Sequence, residues 1–316
     1  MGSVNGDTGY YASKKRVLIV GANSYIGDSF ARYAQDKLAV DVVDSYEEWK
    51  KADFKLYDSI LMVAGLAHKP WSRRQRKANS DLYFAVNRDL ALAVAEKAKA
   101  SGVGQFIYLS SMAVYGMDEG EITRDTKPAP KDDDYYGLSK LQAEERLMAL
   151  LEPRGIETDT YKRLSIIRPP MVYGPGCPGN FNRLVRLVKW LPIFPRIDNK
   201  RSMIYIDNLC AFMAHLIEEG LGGVFLPQNK DYVNTTELVQ LIAKLLGKRM
   251  RFTRVFNPLV GMVGRFVPAV RKLFGSLVYQ HCGSGEAYCG ADFDEGVRLT
   301  VRSLDALVTK TPEATK

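Results

Sequence analysis

Cysteine and histidine are scarce in this chain: four cysteines (Cys177, Cys210, Cys282, Cys289) and three histidines in 316 residues, with no CxxC pair. That spacing supports neither a zinc site nor a disulfide framework. It predicts reduced thiols in a cytoplasmic protein. No apolar run approaches the roughly 18 residues that a membrane-spanning helix needs. The opening MGSVNGDTGYYASKKR has no apolar h-region, so residues 1–13 read as a flexible leader rather than a signal peptide. Gly6 stands where a myristoylation signal needs Ser or Thr. Internal repeats and low-complexity stretches are missing as well. What is left is an ordinary globular composition, 46% hydrophobic and 25% charged, long enough for one large α/β domain or two lobes.

The charge is uneven. Residues 180–280 hold 15 Lys and Arg against 6 Asp and Glu, which leaves 29 against 30 for the remainder of a chain of net charge +8. A basic second half suits an anionic ligand, an acidic partner or an anionic surface. No nucleic-acid-binding motif accompanies it, so nucleic acid is not expected as a partner.

From Arg16 to Arg168 short apolar runs alternate with amphipathic stretches. The runs are RVLIV (16–20), AVDVV (39–43), SILMVA (59–64), QFIYLS (105–110) and LSIIR (164–168), with helix-like segments at 81–102 and 136–151. This rhythm predicts an α/β fold with a parallel sheet covered on both faces. Only about 15 residues separate the second run from the third, so one strand–helix unit is shortened there. Beyond Arg168, Pro and Gly cluster in RPPMVYGPGCPGN (168–180) and mark a change of territory. A strand is expected at 203–206 with a helix at 207–219, and another helix within 233–248 capped by Asn234 or Thr235. The apolar segment 257–280, interrupted by Gly and Pro, reads as a helical lid over a substrate; surface association with a membrane is the alternative.

The first run opens into VLIVGANSYIG (17–27). Gly21 and Gly27 hold the outer places of a glycine-rich turn and Ser24 the middle one. Such a turn cradles a pyrophosphate: the first glycine makes the bend, the last lets the helix approach the strand, and N–H groups at the helix start face the phosphates. Asn23, Ser24, Tyr25 and Ile26 fall inside the cradle, and the Ser24 hydroxyl is small enough to join it. Asp44 lies 23 residues after Gly21, at the end of the second strand. A carboxylate there accepts ribose hydroxyls and repels a 2′-phosphate, which favours NAD over NADP.

YxxxK, a tyrosine and a lysine one helical turn apart, occurs five times: Tyr10–Lys14, Tyr11–Lys15, Tyr33–Lys37, Tyr46–Lys50 and Tyr136–Lys140. Only the last starts a helix beyond YLSSMAVYG, with Ser111 25 residues upstream. For tyrosine to act as a base near pH 7 its pKa must fall by about 3 units, or about 4 kcal/mol. An ammonium one turn away stabilises the phenolate and so contributes to that shift. Ser111 would hold the reacting hydroxyl.

Together GANSYIG, VAGLAH (63–68), VNRDL (86–90), LSSMAVYG (109–116), YGLSK (136–140), RPPMVYGPG (168–176) and KRSMIYIDNL (200–209) resemble extended short-chain dehydrogenase/reductases of the NAD-dependent epimerase/dehydratase family, which act on nucleotide sugars. The resemblance covers the chain from Val17 to about Tyr279. It implies a Rossmann-type doubly wound sheet over 14–170 plus about 202–222. A smaller C-terminal α+β substrate lobe would take 171–201 and 223–316. It also implies that Ala64, Gly65, Leu66 and Asn87 line the cofactor, that Lys140 holds the nicotinamide ribose and that Pro169 flanks the nicotinamide. Substrate contacts would come from Ser111, Met112, Met171, Asn180, Phe181, Arg201 and Ser276, with Arg201 on phosphate, and no metal is involved. A homodimer through the helices at 81–102 and 136–151 is implied as well.

Dehydratases of this family place an Asp-Glu pair after the serine, whereas Met112 and Ala113 stand here and carry no proton. The expectation is an NAD-dependent 4-epimerase of a UDP-hexose or UDP-N-acetylhexosamine serving polysaccharide synthesis. The alternative is an NAD(P)H-dependent 4-keto reductase of a UDP- or dTDP-sugar, and the remote alternative a non-catalytic cofactor sensor.

Overall fold

The computed structural model describes residues 14–67, 73–151, 164–281 and 290–309. The expected leader, His68 and two of the four cysteines, Cys282 and Cys289, lie outside the described residues.

The five apolar runs are strands at Arg16–Val20, Ala39–Val43, Ser59–Met62, Gln105–Leu109 and Leu164–Ile167. With Gly223–Phe225 they form a six-stranded parallel sheet among the described residues. Its order runs from Gly223–Phe225 through Leu164–Ile167, Gln105–Leu109, Ser59–Met62 and Arg16–Val20 to Ala39–Val43. Val17, Leu18, Ile19 and Val20 are all fully buried, as are Ile60, Leu61 and Met62. Helices cover both faces, so these strands read as unbroken apolar runs rather than alternating ones. The chain steps from the first strand to one side and then returns to the other. The resulting switch point lies at the carboxyl ends of Arg16–Val20 and Ser59–Met62, where open α/β sheets bind ligands. The shortened unit is real: the short helix Glu48–Lys51 and a 3₁₀ turn at Phe54–Leu56 stand between the second and third strands.

The far end of the sheet is built from short elements. Met203–Tyr205 is a strand, but it pairs with Met171–Tyr173, outside the central sheet. The sixth strand is Gly223–Phe225, just past residue 222 where the smaller lobe was expected to resume. Three residues of an edge strand, with Val224 partly in solvent, are too few for any periodicity to show. Helix Ile206–Glu219 packs on helix Tyr25–Ala34, and both share one core with Phe181, Val185, Leu238 and Val239. Sheet and smaller part are therefore joined by continuous apolar packing.

The helix expected over 81–102 is divided. Ser80–Phe84 and Leu90–Ala100 flank a π-helical turn at Ala85–Asp89. Helix Tyr135–Leu151 packs beside it. The smaller part holds helices Asn180–Trp190, Thr235–Leu245 and Phe293–Thr309 and the strand pairs Ile193–Pro195/Arg251–Thr253 and Gly120–Ile122/Leu277–Tyr279. Asn234 caps the second of these helices, its Oδ1 accepting from the backbone of Thr236 at 2.8 Å and Glu237 at 3.3 Å. The segment expected as a lid forms helices Asn257–Phe266 and Pro268–Phe274, and the first of them buries no side chain.

Candidate active site

The turn after the first strand is shaped for close approach. Gly21 sits at φ +129°, and a Cβ there would lie 2.6 Å from the Ala64 backbone nitrogen. A Cβ on Gly27 would meet the Val63 side chain at 2.9 Å. Both outer glycines are thus required, one by conformation and contact and the other by helix-to-strand packing. Asn23 takes the left-handed conformation at φ +64°. Ser24, in the place of a third glycine, is the N-cap of helix Tyr25–Ala34, its Oγ accepting from Gly27 N–H at 3.4 Å. As an acceptor in that contact it keeps its own proton available to an anion.

Tyr25 and Ile26 begin helix Tyr25–Ala34 directly behind the cradle, and both are half-buried. Their side chains turn into the core, and the buried Tyr25 hydroxyl lies where a Cβ on Gly174 would meet it at 2.7 Å.

Gly21 and Ala22 donate backbone hydrogen bonds to Val43 O at 2.9 and 3.0 Å, which sets Asp44 beside the cradle. Asp44 is half-buried, and its Oδ1 accepts from the backbone of Tyr46, Glu47 and Glu48 at 2.8, 2.9 and 3.1 Å. The N–H groups of Glu48 and Tyr46 hold this carboxylate below its ordinary range.

Ala64 and Gly65 leave the third strand at the same sheet end, Ala64 donating to Val20 O at 2.9 Å. The loop is clamped by buried Asn87, whose Oδ1 accepts Leu66 N–H at 2.7 Å and whose Nδ2 donates to Leu66 O at 3.1 Å and Ser139 Oγ at 2.9 Å. The π turn frees the Asn87 carbonyl to accept the Tyr108 hydroxyl at 2.8 Å. Asn87 therefore shapes the loop after the third strand with all its side-chain polar atoms engaged.

Helix Tyr135–Leu151 carries Tyr136 and Lys140. A Cβ on Gly137 would lie 2.8 Å from Ala113 O, so the helix start rests directly on the 3₁₀ turn Met112–Tyr115 that Ser111 caps. Met112 N–H donates to Pro169 O at 3.0 Å, tying that turn to the strand end beyond Ile167. Tyr136 is partly exposed. Burial raises its phenol above the ordinary value, and a hydrogen bond with Ser111 pulls the other way. Lys140 is buried, donates to Leu109 O at 2.8 Å and lies 4.6 Å from the Tyr108 ring centroid. Burial pushes its ammonium down to about 7, against the opposing pull of Glu144. A Cβ on Gly65 would stand 3.2 Å from both Lys140 Nζ and Asn87 Oδ1. The lysine and the loop after the third strand are thus in contact across the switch point.

A buried ionic network behind these groups went unnoticed in the sequence. Arg168 donates to Glu144 through Nε at 3.1 and 3.2 Å and through Nη2 at 2.5 Å, and through Nη1 to Tyr115 Oη at 2.8 Å. Ser110 Oγ also donates to Glu144, and Tyr279 Oη to Arg168 O at 2.7 Å. The signal was present: Glu144 falls on the same helix face as Gly137, Lys140, Leu147 and Leu151, and a carboxylate in such a row needs a cation.

The expected substrate residues divide. Met112 and Met171 are half-buried and Asn180 is exposed at the start of its helix. Phe181 is fully buried in the core, its ring stacked on Tyr173 at 5.5 Å. Arg201 is half-buried, with Nη1 donating to Gly275 O at 3.0 Å. Ser276 is exposed, its Oγ accepting Lys200 N–H at 3.1 Å. Among the described residues no cluster of His, Cys, Asp and Glu suits a metal.

Cradle, carboxylate at the second strand end, and lysine beside the third-strand loop together fit a nicotinamide dinucleotide. Residues 17–226 match the NAD dependent epimerase/dehydratase family. A UDP-glucose 4-epimerase of Vibrio cholerae is 33% identical over 260 residues, 78% of this chain and 75% of that protein. An N-acetyl-α-D-glucosaminyl-diphospho-ditrans,octacis-undecaprenol 4-epimerase of Escherichia coli O157:H7 is 24% identical over 79% of this chain and 78% of its own length. The fold is that of a UDP-glucuronic acid 4-epimerase from Bacillus cereus in complex with NAD, with TM-score 0.69 and 17% identity over 92% of this chain and 99% of that one. A dTDP-4-dehydrorhamnose reductase from Clostridium acetobutylicum follows at TM-score 0.67 and 18% identity over 92% of this chain and 99% of that one. The chain belongs to the NAD dependent epimerase/dehydratase family and is an NAD-dependent enzyme of the extended short-chain dehydrogenase/reductase type.

Proposed function

We propose that the protein is a 4-epimerase of a UDP-hexose or UDP-N-acetylhexosamine, working through a transient 4-keto sugar. The observation that carries this reading is Ser111 hydrogen-bonded to Tyr136, one helical turn from buried Lys140, with only Met112 and Ala113 following the serine. Tyr136 takes the proton of the sugar 4-hydroxyl and later returns it. Ser111 orients that hydroxyl, and the Lys140 ammonium stabilises the phenolate and holds the nicotinamide ribose. Bound NAD supplies a reversible hydride acceptor. No carboxylic acid follows Ser111 to expel a C6 hydroxyl, which counts against dehydration. The Vibrio cholerae relative supports a UDP-hexose. The Escherichia coli relative, named for a lipid-linked N-acetylhexosaminyl diphosphate, supports the same sugar-diphosphate chemistry. A 4-keto reductase is the second reading, drawn from neighbours of that activity; Asp44 beside the cradle disfavours the NADPH on which such enzymes often draw. We further propose a cytoplasmic homodimer formed through the helices around residues 80–100 and 135–151.

Purified protein incubated with UDP-glucose, UDP-galactose and their N-acetyl forms, without added cofactor, tests this. Interconversion is expected, and Tyr136→Phe abolishes it while NAD binding persists. Silence, with NAD(P)H oxidised when a 4-keto sugar is supplied, would establish the reductase instead.

A further inference from the structure

The helix Asn257–Phe266 has no buried residue, although it carries mostly apolar side chains. Val255 is 79% exposed, Leu259 51%, Met262 55% and Phe266 80%, with Phe256 and Val267 also in solvent. Leu259, Met262 and Phe266, spaced i, i+3 and i+7, lie on one helix face. The opposite side carries Gly261 and Gly264, and Gly264 backs onto the next helix, where a Cβ would meet Val270 at 3.8 Å. The helix thus meets its neighbour on the Gly264 side while the bulky side chains face outward. Trp190, 86% exposed, ends the helix before strand Ile193–Pro195, which pairs with Arg251–Thr253 and leads into this patch.

Charge decides the occupant. From Arg251 to Gly275 the sequence carries Arg251, Arg254, Arg265, Arg271 and Lys272 and no Asp or Glu. Arg271 and Lys272 are paired with Asp118 at 3.1 and 3.9 Å. Arg251, Arg254 and Arg265 are exposed, with no carboxylate partner among the described residues. A second copy docked on this face through a two-fold axis would set arginine against arginine. An acidic lipid headgroup layer meets both the apolar face and its basic flank. Tryptophan at the patch edge suits the same boundary. Among the described residues no helix is long and apolar enough to cross a membrane, so the contact is with the bilayer surface.

We propose that the face formed by Val255, Phe256, Leu259, Met262 and Phe266, flanked by Arg251, Arg254 and Arg265, seats the protein on the surface of an anionic phospholipid bilayer. The inference is independent of the sugar chemistry, since vesicle binding is read without substrate.

The test is co-sedimentation of the full chain with vesicles of phosphatidylcholine alone and of phosphatidylcholine mixed with phosphatidylglycerol, at low and high salt. Binding to the anionic vesicles is expected at low salt, at least tenfold weaker to the neutral ones and weakened by salt, because each arginine near the surface contributes roughly a fivefold factor. Met262→Glu with Phe266→Glu reduces binding at least tenfold, with turnover of soluble substrate and thermal midpoint unchanged. Any of three results overturns the proposal: no binding to anionic vesicles, equal binding to neutral ones, or undiminished binding by the variant. Dissociation of an oligomer by the variant would also overturn it, assigning the face to a second copy.

Discussion

Glu144→Gln tests the buried network that supports the reactive helix. The Glu144 side chain is fully buried and that of Arg168 is 9% exposed. Glu144 accepts from Arg168 Nε and Nη2 and from Ser110 Oγ. Burial pushes the Arg168 guanidinium down, and the hydrogen bonds and charge of Glu144 more than reverse that. Glutamine keeps the shape and one accepting oxygen, but it turns an amide donor toward guanidinium or hydroxyl donors and leaves a buried cation without its counter-charge. Breaking one side of such a pair costs about 3–5 kcal/mol, a large part of a typical total of about 5–15 kcal/mol. At about 2 °C per kcal/mol the thermal midpoint falls by roughly 6–10 °C. Calorimetry and urea unfolding measure this directly. Activity supplies a second readout. Lys140 loses the upward pull of Glu144 and keeps its proton less well at neutral pH. The phenolate then has weaker support, so kcat falls more than KM rises. Replacing both partners, Glu144→Leu with Arg168→Met, restores stability to within about 1 kcal/mol of wild type, because the pair's desolvation cost disappears with it. A loss under about 1 kcal/mol for Glu144→Gln, or a double variant no better than the single, would refute the argument.

Gly21→Ala forces a Cβ to 2.6 Å from the Ala64 nitrogen at a φ that side chains avoid, so NAD affinity falls at least tenfold in a fluorescence titration. Asp44→Ala removes the carboxylate proposed to accept the ribose hydroxyls and with it the cap of three backbone N–H groups. NAD binds more weakly, and the preference over NADP narrows; an unchanged ratio of the two dissociation constants would argue against the assignment. In the cofactor-free protein, Lys140 has its pKa lowered to about 7 by burial from an ordinary value of 10.5. The unfolded state therefore binds more protons between those values, and wild-type stability rises with pH across that window. Relative to Lys140→Met, wild type gains about 3 kcal/mol between pH 7 and 9.5 at about 1.4 kcal/mol per unit. A difference flat with pH would exclude the buried ammonium.

Much of this architecture is legible in one dimension. Parallel strands buried on both faces leave apolar runs, and all five runs between Arg16 and Ile167 are strands of the sheet. Gly21, Gly27 and Gly65 act through backbone geometry, which residue type alone reports. Position in the strand–helix rhythm separates Tyr136–Lys140 from four other YxxxK pairs. Less could be read where contact partners lie far apart in sequence. Gly223–Phe225 is too short to carry a period, and Phe181 looks the same in sequence whether it faces a ligand or stacks on Tyr173. The direction of the Tyr25 side chain depends on Gly174, which is distant in the chain.

Residue types and short spacings are enough to propose which atoms could do chemistry here, because a phenol, an ammonium and glycine's missing Cβ are properties of single residues. Tertiary structure alone decided which groups touch. The pairing of Glu144 with Arg168, the core position of Phe181 and the unburied face of Asn257–Phe266 all depend on what the remaining chain packs against, and burial is a property of the folded whole.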